Sequence, residues 1–313
     1  MTARGVRFTH PHPATGSNRS RAFTGLAAAV ALLLGCGVTA PTSAHAAPER
    51  KATSLVYVEV NSHEMANVNK YRLADGSKAF DVAIIFAANI NSDDSGAATL
   101  HLNERVKWTL DNADTQIRPL QQRGTKVTLS LLGNHQKAGF ANFPTKEAAQ
   151  KYAGEVAQVV NQYQLDGVDL DDEWVTYGTN GVPAATSQSA VWLVESLREK
   201  LPSNSILSLY NIGATADQLR QAPASVISKL SYISNPHYGS YRAPSFPVDK
   251  SRLGAAAVNF TQESSSTIAD FAQRTVRDGY GVFVTYNLTG ADHQASVSAF
   301  TEKLYGQKAT SGS

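Results

Sequence analysis

A single (β/α)8 barrel of parallel strands, with shortened or irregular helices between some of them, is the fold the sequence predicts. Three observations lead there. Eight short apolar runs with strand character recur along the chain, each bounded by turn residues. Amphipathic stretches separate several of them, and alternating strand and helix calls for a parallel sheet joined by right-handed crossovers. The count and the length also fit, because barrels of this kind take about 250 residues. A doubly wound open sheet is the runner-up. It would want a Gly-rich phosphate turn after an early strand, and the sequence has neither a GxGxxG nor a P-loop.

The strand runs, in order, are SLVYVEV (54–60), FDVAIIFAA (80–88), KVTLSLL (126–132), GVDLD (167–171), ILSLYN (206–211), YISNP (232–236), AAAVNF (255–260) and YGVFVTYN (280–287). The helical patterns are KEAAQKYAGEVAQVVNQYQ (146–164), SAVWLVESLREKL (189–201), SSTIADFAQRTVRDGY (265–280) and SVSAFTEKLYG (296–306). No linker rich in Pro, Gly or Ser divides them, so residues 47–313 read as one domain.

The first 46 residues read differently. Arg4, Arg7, Arg19 and Arg21 stand there without an acid, followed by the apolar AFTGLAAAVALLLGCG and a small-x-small site at Ala44-His45-Ala46. That is the layout of a signal peptide, so the mature protein is expected to be secreted and extracellular. A membrane anchor is the weaker reading, because a spanning helix needs roughly 20 apolar residues. A lipoprotein anchored at Cys36 is a third, since LLGC resembles a lipobox. Removing the leader takes four Arg from 28 Lys and Arg and nothing from 26 Asp and Glu, leaving 24 against 26, net −2. The basicity therefore belonged to the leader, and no nucleic-acid footprint replaces it. Cys36 is the only cysteine, so the mature chain has no disulfide, Cys-bound metal or Cys nucleophile. Its stability must come from its core, which at this length buries roughly three quarters of the unfolded surface. Nothing demands a membrane partner for the mature form or more than a monomer.

LDGVDLDDEW (165–174) packs five carboxylates, Asp166, Asp169, Asp171, Asp172 and Glu173, into ten positions. Residues along a strand alternate faces. Val168 and Leu170 should pack under outer helices, while Asp169, Asp171 and Glu173 line up toward the barrel axis, about 6–7 Å apart. Glu173 then reaches the C-terminal face, where barrel active sites lie. Burial and like charge both raise a carboxyl pKa, and a raised carboxyl is what a general acid near neutral pH needs. The reading is a hydrolase in which Glu173 gives a proton to a leaving group beside Asp171. An EF-hand is excluded, since Trp174 is not the Gly a calcium loop requires and no Glu follows at the twelfth position. A DxD–metal sugar transferase fits poorly with export away from nucleotide sugars. No metal and no organic cofactor is called for.

LDGVDLDDE resembles the DGxDxDxE signature of glycoside hydrolase family 18, the chitinases and endo-β-N-acetylglucosaminidases. AFDVAIIFAANIN, QIRPLQQRGTKVTLSLLGNHQ, AGFANFP, SLYNIG and GYGVFVTYNL look like segments of its endoglycosidase H type, in order along the chain. The resemblance implies a barrel enzyme that cuts the β1,4 bond of the di-N-acetylchitobiose core of Asn-linked high-mannose or hybrid glycans on glycoproteins. It implies substrate-assisted retention, an exception among retaining glycosidases. Glu173 would be the acid and then the base. Asp171 would hold the acetamido N–H, Asp169 would support Asp171, and Tyr238 in NPHYG would hold the acetamido oxygen. Asn211 in SLYN, with Tyr286 and Asn287 in VTYN, sits at a strand's C-terminal end, where substrate contacts are expected. Trp174 and Tyr177 could stack on sugars. His135 and His237 are the mature histidines near strand ends.

Three features depart from the family's pattern. Ser130-Leu131-Leu132-Gly133 replaces the chitinase SxGG, as in the endoglycosidase H branch. His237 stands where close relatives carry an aromatic, and the loop YRAPSFPVDKSRLG (241–254) is unlike theirs. A chitinase of the same family is the alternative reading, and a non-catalytic lectin on the same barrel is a third, opposed by the presence of Glu173.

Overall fold

The computed structural model describes residues 49–312. The leader expected over residues 1–46, with its cleavage site and Cys36, lies outside the described residues. Eight strands form the barrel: β1 (Thr53–Glu59), β2 (Val82–Ser92), β3 (Lys126–Leu132), β4 (Gly167–Asp171), β5 (Ile206–Tyr210), β6 (Tyr232–Ser234), β7 (Leu253–Asn259) and β8 (Val282–Tyr286). Each pairs in parallel with its neighbour in sequence. Leu55 of β1 pairs in parallel with both Val284 of β8 and Val82 of β2, which closes the ring. Every strand run expected from the sequence is one of these strands, shifted at its ends by a few residues.

The closed sheet has two faces, and side-chain alternation sorts them. Val56, Val58, Ala83, Ile85, Val127, Leu129, Val168, Leu170, Leu207 and Leu209 face outward into the main core. Leu55, Tyr57, Val82, Ile84, Tyr210, Val282 and Val284 form a second core inside the ring. Val168 and Leu170 thus pack under the helices as expected, which leaves the acids of β4 to the interior.

The helices follow β2, β3, β4, β5, β7 and β8: α1 (Glu104–Asp111), α2 (Lys146–Gln162), α3 (Ser189–Lys200), α4 (Gly213–Arg220), α5 (Ser265–Asp278) and α6 (Gln294–Tyr305). Helix α2 starts where Thr145 accepts from the Ala148 N–H, which satisfies one orphan donor of the first turn. It buries Ala149, Tyr152, Ala153, Val156, Ala157 and Val160, a three–four spacing that keeps one face on the sheet. Helix α5 is capped by Ser264 and ends at Gly279 in left-handed backbone. The ring of helices is incomplete. Only a 3-10 turn, Met65–Lys70, and a short strand, Tyr71–Leu73, lie between β1 and β2. Between β6 and β7 runs an irregular segment whose Ser240–Tyr241 pairs antiparallel with β7. Prolines at 236, 244 and 247 explain the missing helix there, since each removes a donor and fixes φ.

Candidate active site

The interior of β4 carries the acids in a vertical ladder. Asp169, at the bottom, is fully buried. The Tyr57 hydroxyl donates to its Oδ2 at 3.0 Å, the Ser130 hydroxyl to the same atom at 3.2 Å, and the Ser208 hydroxyl to Oδ1 at 2.6 Å. Burial pushes its pKa up, and these donors offset part of that rise.

Asp171, one step higher, is 1% exposed, and its Oδ1 has no partner. Burial raises its pKa well above the usual carboxylate range, and the charges of Glu173, Asp169 and Asp172 add to the rise. A buried carboxyl with an idle oxygen and three acidic neighbours contributes nothing favourable to the fold. Such groups cluster at functional sites.

Glu173 lies past the end of the strand and is half-buried. Burial raises its pKa, and the nearby His237 pulls the other way. It is the one acid of the ladder with access to solvent. Its backbone is pressed against β3: a Cβ on Gly133 would sit 1.9 Å from the Glu173 carbonyl oxygen, so only glycine fits there. Trp174 follows in left-handed backbone at φ 67°, an unusual conformation for a bulky residue, and stands 57% exposed. Its ring lies 5.6 Å from that of His135.

Asp172 points away from the ladder. Its Oδ1 accepts from the Tyr177 hydroxyl at 2.7 Å and its Oδ2 from the Thr215 N–H at 2.8 Å. Tyr177 accepts in turn from the Ala141 N–H. One buried carboxyl therefore ties together the loops after β3 and β4 and the first turn of α4. Burial lifts its pKa to about 6. Tyr177, named from sequence as a possible sugar platform, is a half-buried strut of this clamp.

Aromatics wall the ladder. Tyr238 stacks on Tyr286 with centroids 5.0 Å apart, and its ring is 6.2 Å from Tyr210. Tyr210 is 4% exposed, pairs in register with Asp171 and donates to the Pro236 carbonyl at 2.7 Å. Phe86 stands edge-on to both Tyr57 and Tyr286. Tyr238 and Tyr286, both expected from sequence, thus stand beside the ladder; burial raises the Tyr238 pKa, with Tyr210, Tyr57 and the charge of Asp171 adding to the rise.

Asn211 and Asn287 do not join it. Asn211 accepts from Arg220 at 2.9 Å in a neighbouring cavity, because it follows Tyr210 and so faces the other way. Asn287, in left-handed backbone at φ 64°, donates to Thr261 at 3.2 Å. Sequence reading missed Tyr57, Ser130, Ser208 and Tyr210. The signal was available, since the alternation that placed the acids puts all four on interior positions of their strands.

Residues 54–233 match the model of the family described as "Glycosyl hydrolases family 18". The chain belongs to glycoside hydrolase family 18. It is 54% identical over 268 residues to an endo-beta-N-acetylglucosaminidase of Flavobacterium sp. (strain SK1022), covering 85% of each chain. It is 30% identical to endo-beta-N-acetylglucosaminidase F1 of Elizabethkingia meningoseptica over 72% of this chain and 68% of the other. Among solved structures it is similar to EndoBT-3987 of Bacteroides thetaiotamicron with a Man5GlcNAc product, at TM-score 0.71 and 28% identity. That match covers 83% of this chain and 62% of the other, so this family 18 chain spans less than two thirds of that structure.

Proposed function

We propose that this family 18 glycosidase is a secreted endo-β-N-acetylglucosaminidase that hydrolyses the β1,4 bond of the di-N-acetylchitobiose core of Asn-linked high-mannose or hybrid glycans. The observation that carries this is the ladder in which Asp171 is buried with an idle oxygen and Glu173 above it is half-open. Two further findings support it. The 54% identical relative is named an endo-beta-N-acetylglucosaminidase. A related structure of EndoBT-3987 holds a Man9GlcNAc2Asn substrate.

The chemistry follows from the placement. Glu173, whose burial favours the protonated form, donates to the glycosidic oxygen as the C1–O bond breaks. The acetamido oxygen of the same sugar forms the new bond to C1. An attached nucleophile gains from proximity, with effective molarities of ~10⁵ M or more. Asp171 accepts the acetamido N–H and stabilises the positive charge of the resulting oxazolinium. Tyr238, stacked on Tyr286 beside the ladder, holds the acetamido oxygen in this reading. Glu173, now a carboxylate, takes a proton from water, which attacks C1 from the leaving-group side. The acetamide is restored with retained configuration. Tyr57, Ser130 and Ser208 hold Asp169, which supports Asp171 from below.

The test is an electrophoretic shift assay on a high-mannose glycoprotein with wild type beside Glu173→Gln. Loss of the glycan with wild type alone is expected. If neither acts on the glycoprotein and wild type releases chitobiose from chitin oligosaccharides, the glycan reading is wrong and the chitinase alternative stands.

A further inference from the structure

A cavity of about 370 Å³ opens at the C-terminal rim beside the ladder. Asn211 lines it, one residue past β5, with Asn235, Pro236 and His237 just past β6 and Arg220 from α4. Arg242, Pro244 and Ser245 of the irregular segment before β7 complete it. Its inner wall is the Pro236 backbone, whose carbonyl accepts from Tyr210, the tyrosine in register with Asp171. His237 both lines the cavity and lies within the electrostatic field of Glu173. His237 is therefore the residue through which the cavity adjoins Glu173.

Its chemistry is one-sided. No carboxylate lines it. Arg220 pairs with Asp217 at 2.6 Å and donates to Asn211, which occupies that amide's acceptor and leaves its N–H₂. Among the described residues, the Arg242 guanidinium and the His237 ring make no side-chain hydrogen bond or ion pair. Asn235 turns its N–H₂ inward to Ser240 and Ala255 and its oxygen to the His237 N–H, so it offers the cavity no acceptor. What remains is the Arg242 guanidinium, with the Asn211 N–H₂ and the Ser245 hydroxyl as accessory donors, in a domain whose net charge without the leader is −2. A neutral sugar hydroxyl is both donor and acceptor, and a site built for one offers acceptors as well. A guanidinium fork with accessory donors matches an oxyanion.

We infer that this cavity is a subsite for an anionic group, a phosphate monoester or a carboxylate, carried on an outer residue of the glycan, and that Arg242 sets the preference for it. The inference rests on the endoglycosidase reading and names a substrate class within it.

The experiment compares kcat/KM of the full chain on three glycoproteins: neutral high-mannose, phosphomannosylated high-mannose and sialylated hybrid. Wild type and Arg242→Gln are assayed in parallel at low and high salt. The expected result is a preference for one of the anionic glycans over the neutral one, weakened by salt. Arg242→Gln should reduce that preference about 5- to 10-fold through KM, with kcat little changed, because a partly exposed charge-assisted pair is worth less than a buried one. A phosphate preference and a carboxylate preference both support the subsite and differ only in naming the anion. Equal rates on all three glycans, or a preference that Arg242→Gln leaves intact, overturn the subsite while the endoglycosidase reading survives. Failure to cut any glycan overturns both. Arg242→Lys separates charge from geometry: partial retention of the preference is expected, since lysine keeps the charge and loses the bidentate fork.

Discussion

Asp81 and Asp171 are buried aspartates at opposite ends of one barrel, and their surroundings are opposite too. Asp81, just before β2 at the N-terminal end, receives Arg50 at 3.0 Å and Lys78 at 3.1 Å on Oδ1. On Oδ2 it accepts from the Ser54 N–H and from the Tyr305 hydroxyl at 2.7 Å. Asp171, the last residue of β4 at the C-terminal end, has acids for neighbours and an oxygen with no partner. Each arrangement follows a function. The bottom of a barrel holds the ring together, and the top does chemistry. A compensated carboxylate supports the fold. An uncompensated one costs the fold stability, and such groups cluster at functional sites.

The sharpest way to break that comparison is at its top. Glu173→Gln should lower kcat on the order of 10³- to 10⁴-fold, because in the proposed mechanism the same group serves as acid and then as base. Its melting temperature should stay level or rise, since a half-buried carboxyl with a raised pKa becomes neutral. Asp171→Asn should cost about 10²- to 10³-fold in kcat, the scale of losing one electrostatic contact to the transition state. It too should leave the fold equally or more stable at neutral pH. Urea denaturation beside single-turnover rates separates the two quantities. An Asp171→Asn protein that was less stable and fully active would show that Asp171 is a structural residue.

Asp81→Ala is the mirror experiment. It strands Arg50 and Lys78 against the barrel floor, and those side chains are 25% and 23% exposed. Breaking a buried pair costs about 3–5 kcal/mol, and partial exposure brings the expectation here to roughly 2–3 kcal/mol of stability. The rate of the folded fraction should match wild type. A fall in kcat at full folding would mean that the two ends are coupled.

The sequence carried more of this molecule than its boundaries suggest, and the reasons differ by element. The eight strands were legible because each is a run of β-branched or apolar residues of the right length, and closure follows from their number. The acids were legible because they alternate with Val168 and Leu170. The same parity rule reaches Tyr57 in VYVEV, Ser130 in TLSL and Ser208 and Tyr210 in LSLY. Asn211 was named ahead of Tyr210 because it sits nearer the strand end, yet one step along a strand turns a side chain to the other face. The clamp made by Asp172 was beyond reach. It joins residues 141, 172, 177 and 215, and only the register of three strands brings them together. The exposed face of Trp174 depends on a single left-handed φ that sequence pattern does not encode.

Asp172 sharpens the comparison most finely, because it lies between the two extremes: buried like Asp171, partnered like Asp81. Two donors satisfy it, yet no cation does, and burial lifts its pKa from 3.8 to about 6. A carboxyl whose pKa is higher folded than unfolded holds its proton more tightly in the fold. Its contribution to stability is therefore fully present below pH ~4, where both states are protonated, and is lost as pH rises through about 6. The loss amounts to roughly 2–3 kcal/mol at 1.36 kcal/mol for each pH unit. Asp171 and Glu173, also raised, act in the same direction, so the wild-type melting temperature should be higher at pH 5 than at pH 8. Asp172→Asn should change stability by only about 1 kcal/mol at neutral pH. It removes the buried charge, and it also presents an N–H₂ to one of the two donors that Tyr177 and Thr215 supply. What it should remove is slope: the melting temperature of the variant should fall less than that of wild type between pH 5 and pH 8. An unchanged slope would mean that Asp172 titrates normally and that its two hydrogen bonds hold it charged without penalty.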